Sequence, residues 1–209
     1  MLRRIYAYAI KMTHGPNIAF HPATADRWRD LVKLFGERGA CGGCWCMVWR
    51  LPGKQWRANK GEGNRRALHK LVKRDHAPGV LMYVDGEPAG WCAVAPRQEY
   101  VILANSRVLA PVDDKPVWSV SCFFVARPFR RKGLALPLLK AAAEYAHSQG
   151  ATIVEGYPNE LSKGEPDAFI WRGVASTFRK AGFKEAAKRS PKRPIMRKTF
   201  AGRTEKKKA

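Results

Sequence analysis

The sequence predicts an α/β fold: a mixed, mostly antiparallel sheet flanked by helices. Three observations carry this. Val80-Leu-Met-Tyr-Val84 and Ala89-Gly-Trp-Cys-Ala-Val94 flank Asp85-Gly86-Glu87, and Asp-Gly supplies the positive φ values that a tight hairpin turn needs. Val117 to Val125 is apolar, aromatic and β-branched enough for a central strand, and Gly133 to Gly150 has the spacing of a helix closed by Gly150. Thr152-Ile-Val-Glu-Gly-Tyr157 then reads as the next strand. A run of antiparallel strands followed by a strand-helix-strand crossover makes a mixed sheet rather than a doubly wound parallel one.

The remaining elements follow in order. Asn17-Ile-Ala-Phe20 reads as a short first strand, and Thr24 can cap a helix whose Trp28, Leu31, Val32 and Phe35 fall on one face at i, i+3, i+4 and i+7. Gly36 to Lys54 is rich in Gly, Cys and Trp without a period. A polar, basic helix is expected over Asn59 to Arg74, with Leu68, Leu71 and Val72 on its buried side. Past the crossover, Val174 to Lys180 reads as a helix stopped by Gly182, with Phe183 to Lys188 and Ile195 to Phe200 as closing strands. There is no internal repeat.

A chain of 209 residues suits one domain, assigned to residues 17–200. Residues 1–16 read as a basic N-terminal extension that can be disordered, and 201–209 as a basic C-terminal tail. The apolar fraction of 45%, with seven Trp, nine Phe and six Tyr, excludes a wholly disordered chain. Apolar runs stop well short of the ~18 residues of a membrane span. The start is basic then briefly apolar, without a small-residue cleavage site, so export is not expected. Five cysteines, an odd number with three crowded into Cys41-Gly-Gly-Cys44-Trp-Cys46, point to a reducing, cytoplasmic setting rather than a disulfide scaffold. The formal charge is +22, with ten Lys/Arg against one Glu over residues 186–209. The body stays basic, which suits an anionic ligand or a nucleic acid.

The chemistry concentrates in Phe123-Phe-Val-Ala-Arg-Pro-Phe-Arg-Arg-Lys-Gly-Leu-Ala135, between the central strand and the long helix. Unpaired N–H groups at a helix start and the positive end of its dipole suit a pyrophosphate, and Gly133 permits close approach of the backbone. Arg130, Arg131 and Lys132 add attraction. The pattern Arg130-x-x-Gly133-x-Ala135, with Ser176-Thr-Phe-Arg-Lys-Ala-Gly-Phe183 downstream, resembles the GNAT N-acetyltransferase superfamily, whose coenzyme A loop joins a strand to a helix in this way. Cys41–Cys46, Gly90–Pro96 and Val117–Val125 resemble an uncharacterised bacterial branch.

The resemblance implies a GNAT-like acyl-CoA N-acyltransferase fold, with acetyl-CoA as cosubstrate and direct attack of an amine in a ternary complex. It implies that Phe124, Val125, Arg130, Arg131, Lys132, Gly133, Leu134, Ala135 and Phe178 contact the coenzyme, with the N–H of Val125 holding the acetyl carbonyl. Phe178 stands where the family often has a Tyr acid, and a phenyl ring has no proton to give. The nearest polar substitutes are Tyr157 and Ser176, and Glu155 is the candidate base; Asp113 and Asp114 can instead recognise a cation. Tyr157 and Glu155 also read as a packed core or rim ring and an ordinary exposed strand carboxylate.

In the family, the region between the first helices covers the acceptor, so Cys44, Trp45, Cys46 and Trp49 are expected to shape the substrate pocket, the indoles by cation–π contact or as packing. Cys41, Cys44 and Cys46 lack a fourth zinc ligand in pattern, and no metal is expected. The expected partner is a small-molecule or peptide amine, with no membrane; the sequence leaves a homodimer open. Two rival readings are a nucleic-acid or ribosome-associated protein gripping phosphates through the basic tail, and an acyl-CoA sensor without transfer activity.

Overall fold

The computed structural model describes residues 8–10, 16–160 and 171–201. Its centre is an eight-stranded sheet in the order β1-β2-β3-β4-β5-β6-β8-β7, built from β1 (Tyr8–Ile10), β2 (Ile18–Pro22), β3 (Gly79–Val84), β4 (Glu87–Pro96), β5 (Trp118–Val125), β6 (Ile153–Gly156), β7 (Lys184–Ala187) and β8 (Ile195–Thr199). All neighbours are antiparallel except β5 and β6. The mixed, mostly antiparallel sheet expected from the sequence is therefore present. The parallel pair arises because α5 (Ala135–Ser148) carries the chain from β5 back to the start of β6.

The hairpin turn uses Asp85 at φ 50° and Gly86 at φ 83°, the left-handed values its Asp-Gly pair favours. Strand alternation then sorts side chains onto two faces. Val80, Met82 and Val84 of β3, Val120 of β5 and Val154 of β6 join Leu138, Leu139 and Tyr145 of α5, with Phe178 of α6 (Ala175–Lys180), in one core. Alanines 141, 142, 143 and 146, all buried, let α5 lie close to the sheet. On the opposite face, Leu81, Trp91, Ala93 and Cys122 pack against Leu31, Leu34 and Phe35 of α1 (Trp28–Phe35) and Leu68 and Leu71 of α3 (Glu62–Leu71). Each fully buried aliphatic side chain contributes about 1.5–3 kcal/mol over its exposed state.

Several elements lie beyond the sequence reading. The α2 turn (Gly53–Ala58) and the α4 turn (Val101–Ala104) are too short to show a helical period. The N-terminal extension also contributes β1, whose register sets Tyr8 opposite Phe20 and Ile10 opposite Ile18. Main-chain pairing of three residues leaves no pattern in composition. The basic run over 186–209 is divided: residues 195–199 are β8, between β6 and β7, while 202–209 lie outside the described residues.

One polar cluster pins the strands around the parallel pair. Glu155, with no exposed surface, accepts from Arg97 Nη1 at 2.9 Å and from the Tyr157 hydroxyl at 2.6 Å on Oε1, and from Arg197 Nε at 2.7 Å on Oε2. Ser119 Oγ lies 2.8 Å from the Tyr157 hydroxyl, whose own proton is directed to Glu155. Arg97 also donates to the carbonyls of Leu103 and Leu109, and Arg197 Nη1 to Asp113 at 2.7 Å. Two guanidiniums meet the buried Glu155 and the exposed Asp113, so the charges of the cluster are paired.

Removing one partner of such a cluster strands the others. Glu155→Gln is expected to cost about 3–5 kcal/mol. Calorimetric unfolding should show a fall in Tm on the order of 10 °C; an unchanged Tm would mean that the cluster does not hold the strands.

Candidate active site

Pairing between β5 and β6 is short. Trp118 lies opposite Val154, Ser119 opposite Glu155 and Val120 opposite Gly156, and there it ends, while β5 continues to Val125 against β4. The β4 register shifts between Cys122 and Val120, which leaves Ser121 as a bulge at the point of parting. The N–H of Ala126 donates to Ala89 O on the β4 side. Successive N–H groups alternate, so those of Phe123 and Val125 point the other way, into the gap beyond the end of β6. Ligands of parallel strands gather at such carboxyl ends.

The chain leaves β5 at this same end through a one-turn helix, Arg127–Phe129, and reaches α5 through Arg130-Arg-Lys-Gly133. Arg130 Nε donates to Val125 O at 2.9 Å, tying the loop to the strand end. Arg131 at φ 60° and Gly133 at φ 73° are both left-handed, a backbone that turns N–H groups toward one side. The first turn of α5 leaves its N–H groups without intrahelical acceptors. Open space lies where a Cβ would stand at Gly133, and Arg130, Arg131 and Lys132 are exposed. Leu134 is buried in the α5 core and Ala135 begins the helix. Donor set, open glycine and helix start fit a pyrophosphate.

Phe178 is fully buried beneath the gap, edge-on to Phe123 and Phe183 at centroid distances of 6.1 and 5.0 Å. A methyl added at Gly156 would collide with its ring, so the end of β6 must be glycine for the ring to fit. Phe124, on the opposite side of β5, packs edge-on against Phe35 at 5.6 Å.

The sequence-predicted catalytic residues separate. Glu155 and Tyr157 meet in the buried cluster, where both carboxylate oxygens are already paired. Burial, then the neighbouring Glu155 charge, raises the Tyr157 pKa well above the usual tyrosine value, so its hydroxyl stays protonated. Ser176 sits exposed on α6, apart from them. Asp113 is engaged by Arg197, and Asp114 is exposed.

The Gly/Cys/Trp segment folds over the α1 face. Trp45 and Cys46 adopt φ 43° and 52°, a left-handed backbone costing about 1–3 kcal/mol per residue. Packing offsets it: Trp45 lies against Trp28 and Phe35 at 6.0 and 5.5 Å, and Cys46 Sγ is 3.6 Å from Cys122 Sγ on β5. Cys44 donates to Gly39 O at 3.7 Å, and Cys41 is exposed. Among the described residues, no three His, Cys, Asp or Glu side chains converge as a metal site. Two open clefts of about 410 and 380 Å³ share no residue with Phe123–Ala135. The first borders His21, Asp30 and Tyr83, the second Val32, Trp45 and Arg65; their chemistry suggests no reaction.

Trp49 packs with Tyr100, Leu103 and Tyr157 and lies 6.1 Å from Trp171, with the Arg172 guanidinium 4.1 Å from the Trp171 ring centroid and 5.7 Å from that of Trp49. Sequence reading missed Arg97, Arg197, Trp171, Arg172 and Arg193. Only the adjacent Trp171-Arg172 pair offered a signal, an aromatic beside a base; the others are ordinary members of a basic chain.

The profile of the acetyltransferase (GNAT) family matches residues 45–162, more than half of the chain. No curated protein sequence matches. Among solved structures the chain is similar to the GNAT domain of S. lividans PAT, with a TM-score of 0.53, 14% identity and coverage of 93% of this chain and 97% of that one. It is similar to the aminoglycoside N-acetyltransferase AAC(6')-Iy in complex with CoA, with a TM-score of 0.51, 16% identity and coverage of 85% and 95%. PaiA N-acetyltransferase from Thermoplasma acidophilum, in complex with coenzyme A, has a TM-score of 0.50, 13% identity and coverage of 88% and 99%. At these identities the likeness is one of fold.

The collision at Gly156 makes a test of the gap's floor. Gly156→Ala is expected to cost about 1–3 kcal/mol by overpacking, and Phe178→Leu in the same chain should recover part of it. Urea unfolding measures both; additive losses would mean that the two positions do not meet.

Proposed function

The chain belongs to the GNAT acetyltransferase family, and on that premise we propose that it transfers the acetyl group of acetyl-CoA to an amine of a small molecule or peptide, within the domain of residues 17–200. The observation that carries this reading is the loop Arg130–Gly133, set between the parted end of β5 and the start of α5. Its backbone amides and the α5 dipole would hold the pyrophosphate, with Arg130, Arg131 and Lys132 neutralising it and Gly133 giving the phosphates room. The N–H groups of Phe123 and Val125 would align the pantetheine arm and the acetyl carbonyl along the free edge of β5, as a further strand would pair.

Acetyl-CoA supplies the acetyl group as a thioester. The amine nitrogen forms the new C–N bond as the C–S bond breaks, and the proton lost by the amine is balanced by the one the thiol gains. Phe178 contributes an apolar floor and no proton. Glu155 and Tyr157 act in this reading as positioning residues: they hold the end of β6 where it leaves β5, and their hydrogen bonds are spent on each other and on two arginines. Phe124, Leu134 and Ala135 shape the walls and the helix start beside the coenzyme. Cys44, Trp45, Cys46 and Trp49 lie in the cover over the acceptor side, where Cys46 touches β5 directly.

Acetyl-CoA at about a hundred times its Kd should raise stability by about 2.7 kcal/mol, read as a Tm increase of roughly 5–10 °C. Gly133→Glu places a carboxylate where phosphate would lie and is expected to weaken acetyl-CoA at least about tenfold by calorimetry. Full affinity in that variant would remove the pyrophosphate from this loop. Deleting residues 201–209 is expected to leave acetyl-CoA affinity unchanged; lost affinity would place the tail in the cofactor site.

A further inference from the structure

Beside the gap stand two arginines whose charge nothing described in the protein answers. Arg172 Nε and Arg193 Nε and Nη2 are buried without a hydrogen-bond partner, and so is Trp49 Nε1, on a ring that borders Arg172. Among the described residues, Glu160 takes a two-pronged pair from Arg179 at 3.1 and 2.7 Å, Asp113 is held by Arg197, and Glu155 by Arg97 and Arg197.

The two arginines flank one stretch of chain. Asn159 N donates to Gly173 O, next to Arg172, and Glu160 N donates to Lys192 O, next to Arg193. Burial, with the charge of Arg172 added, brings the Arg193 pKa down to about 10, and burial lowers that of Arg172. Desolvating a guanidinium without an anion costs stability, and a fold tolerates that cost where a ligand repays it. The Arg172 guanidinium lies 4.1 Å from the Trp171 ring centroid and 5.7 Å from that of Trp49, two indoles tilted at 53° to each other, and a planar guanidinium fork is suited to carboxylate or phosphate. The position is on the acceptor side: Trp49 belongs to the cover, and Cys122, on β5 at the parting, lies close enough to act on the Arg172 charge.

We propose that Arg172 and Arg193, walled by Trp49 and Trp171, form an anion subsite for the acceptor, which is therefore an amine that also carries a carboxylate or phosphate group. This rests on the acetyl-transfer reading above and specifies its substrate class.

The test uses the full-length protein and matched acceptors that differ only in the anion: lysine against cadaverine, phenylalanine against phenethylamine, and phosphoethanolamine against ethanolamine. CoA release is followed, with acetyl-CoA affinity measured separately by calorimetry. The anionic member of the carboxylate pairs or of the phosphate pair should show kcat/KM at least about tenfold higher, and which pairs respond distinguishes carboxylate from phosphate. Arg172→Met and Arg193→Met should erase that preference, keep the acetyl-CoA Kd within about twofold, and leave Tm unchanged or raised by a few degrees. Arg172→Lys, which keeps charge without the planar fork, should retain part of the preference. Equal rates within every pair, a lack of turnover with all of them, variants that keep the preference, or variants that lose acetyl-CoA affinity would each overturn the subsite. Absence of acetyl-CoA binding to the wild-type protein would instead remove the acetyl-transfer reading, and the subsite with it.

Discussion

The parting of β5 from β6 is the constraint on which the rest of the structure depends. A parallel pair that ran its full length would leave no free strand edge and no entry between strands. Here it lasts from Trp118 to Val120 and then opens, because Ser121 bulges on one strand and β6 stops at Gly156 on the other. Opening a sheet interior exposes N–H groups that a buried edge would not tolerate. The fold therefore has to hold the remaining pairs firmly, and the Glu155 cluster lies one residue before the parting to do so. Two guanidiniums from separate elements converge on a carboxylate that water does not reach. Such an assembly adds less to net stability than an apolar core of the same volume, yet it tolerates no missing member. It favours one arrangement of β4, β6 and β8 over near alternatives.

Around the gap, local cost is spread over several places. Trp45 and Cys46 keep left-handed backbones because aromatic packing and the contact with Cys122 leave them no better conformation. Arg131 does so in the loop ahead of α5. Arg172 and Arg193 carry partly desolvated charge. None of these improves the fold considered alone. Strain and unpaired charge that do not improve the fold are candidates for function rather than for stability.

Net charge looks different once placed in three dimensions. The basic run after residue 186 reads in the sequence as a tail, but Arg197 is a clamp on Glu155 and Asp113, Arg189 donates to the carbonyls of Ala110 and Pro111, and Arg193 lies in the interior beside the site. A linear charge count cannot distinguish a solvated lysine from an arginine that orders two strands. The same holds for acids: Asp113 reads as a candidate for cation recognition, and in the fold it holds Arg197.

The sequence by itself determined the long elements and their order, though not β1, α2 or α4. The apolar runs of β3 and β4 around the Asp-Gly turn, the apolar β5 and the small, apolar spacing of α5 are local patterns, legible because each is carried by consecutive residues. It also marked Arg130-x-x-Gly133-x-Ala135, since that pattern is made of consecutive residues. Only the tertiary structure joined Glu155 to Tyr157 in a buried cluster and left Ser176 exposed on α6. It alone brought Arg97, Arg172, Arg193 and Arg197 to the two sides of the parted strands. Those contacts join residues tens of positions apart, such as Arg97 with Glu155, and their energies depend on burial and on which groups the fold brings together. Neither quantity is a property of any segment taken alone.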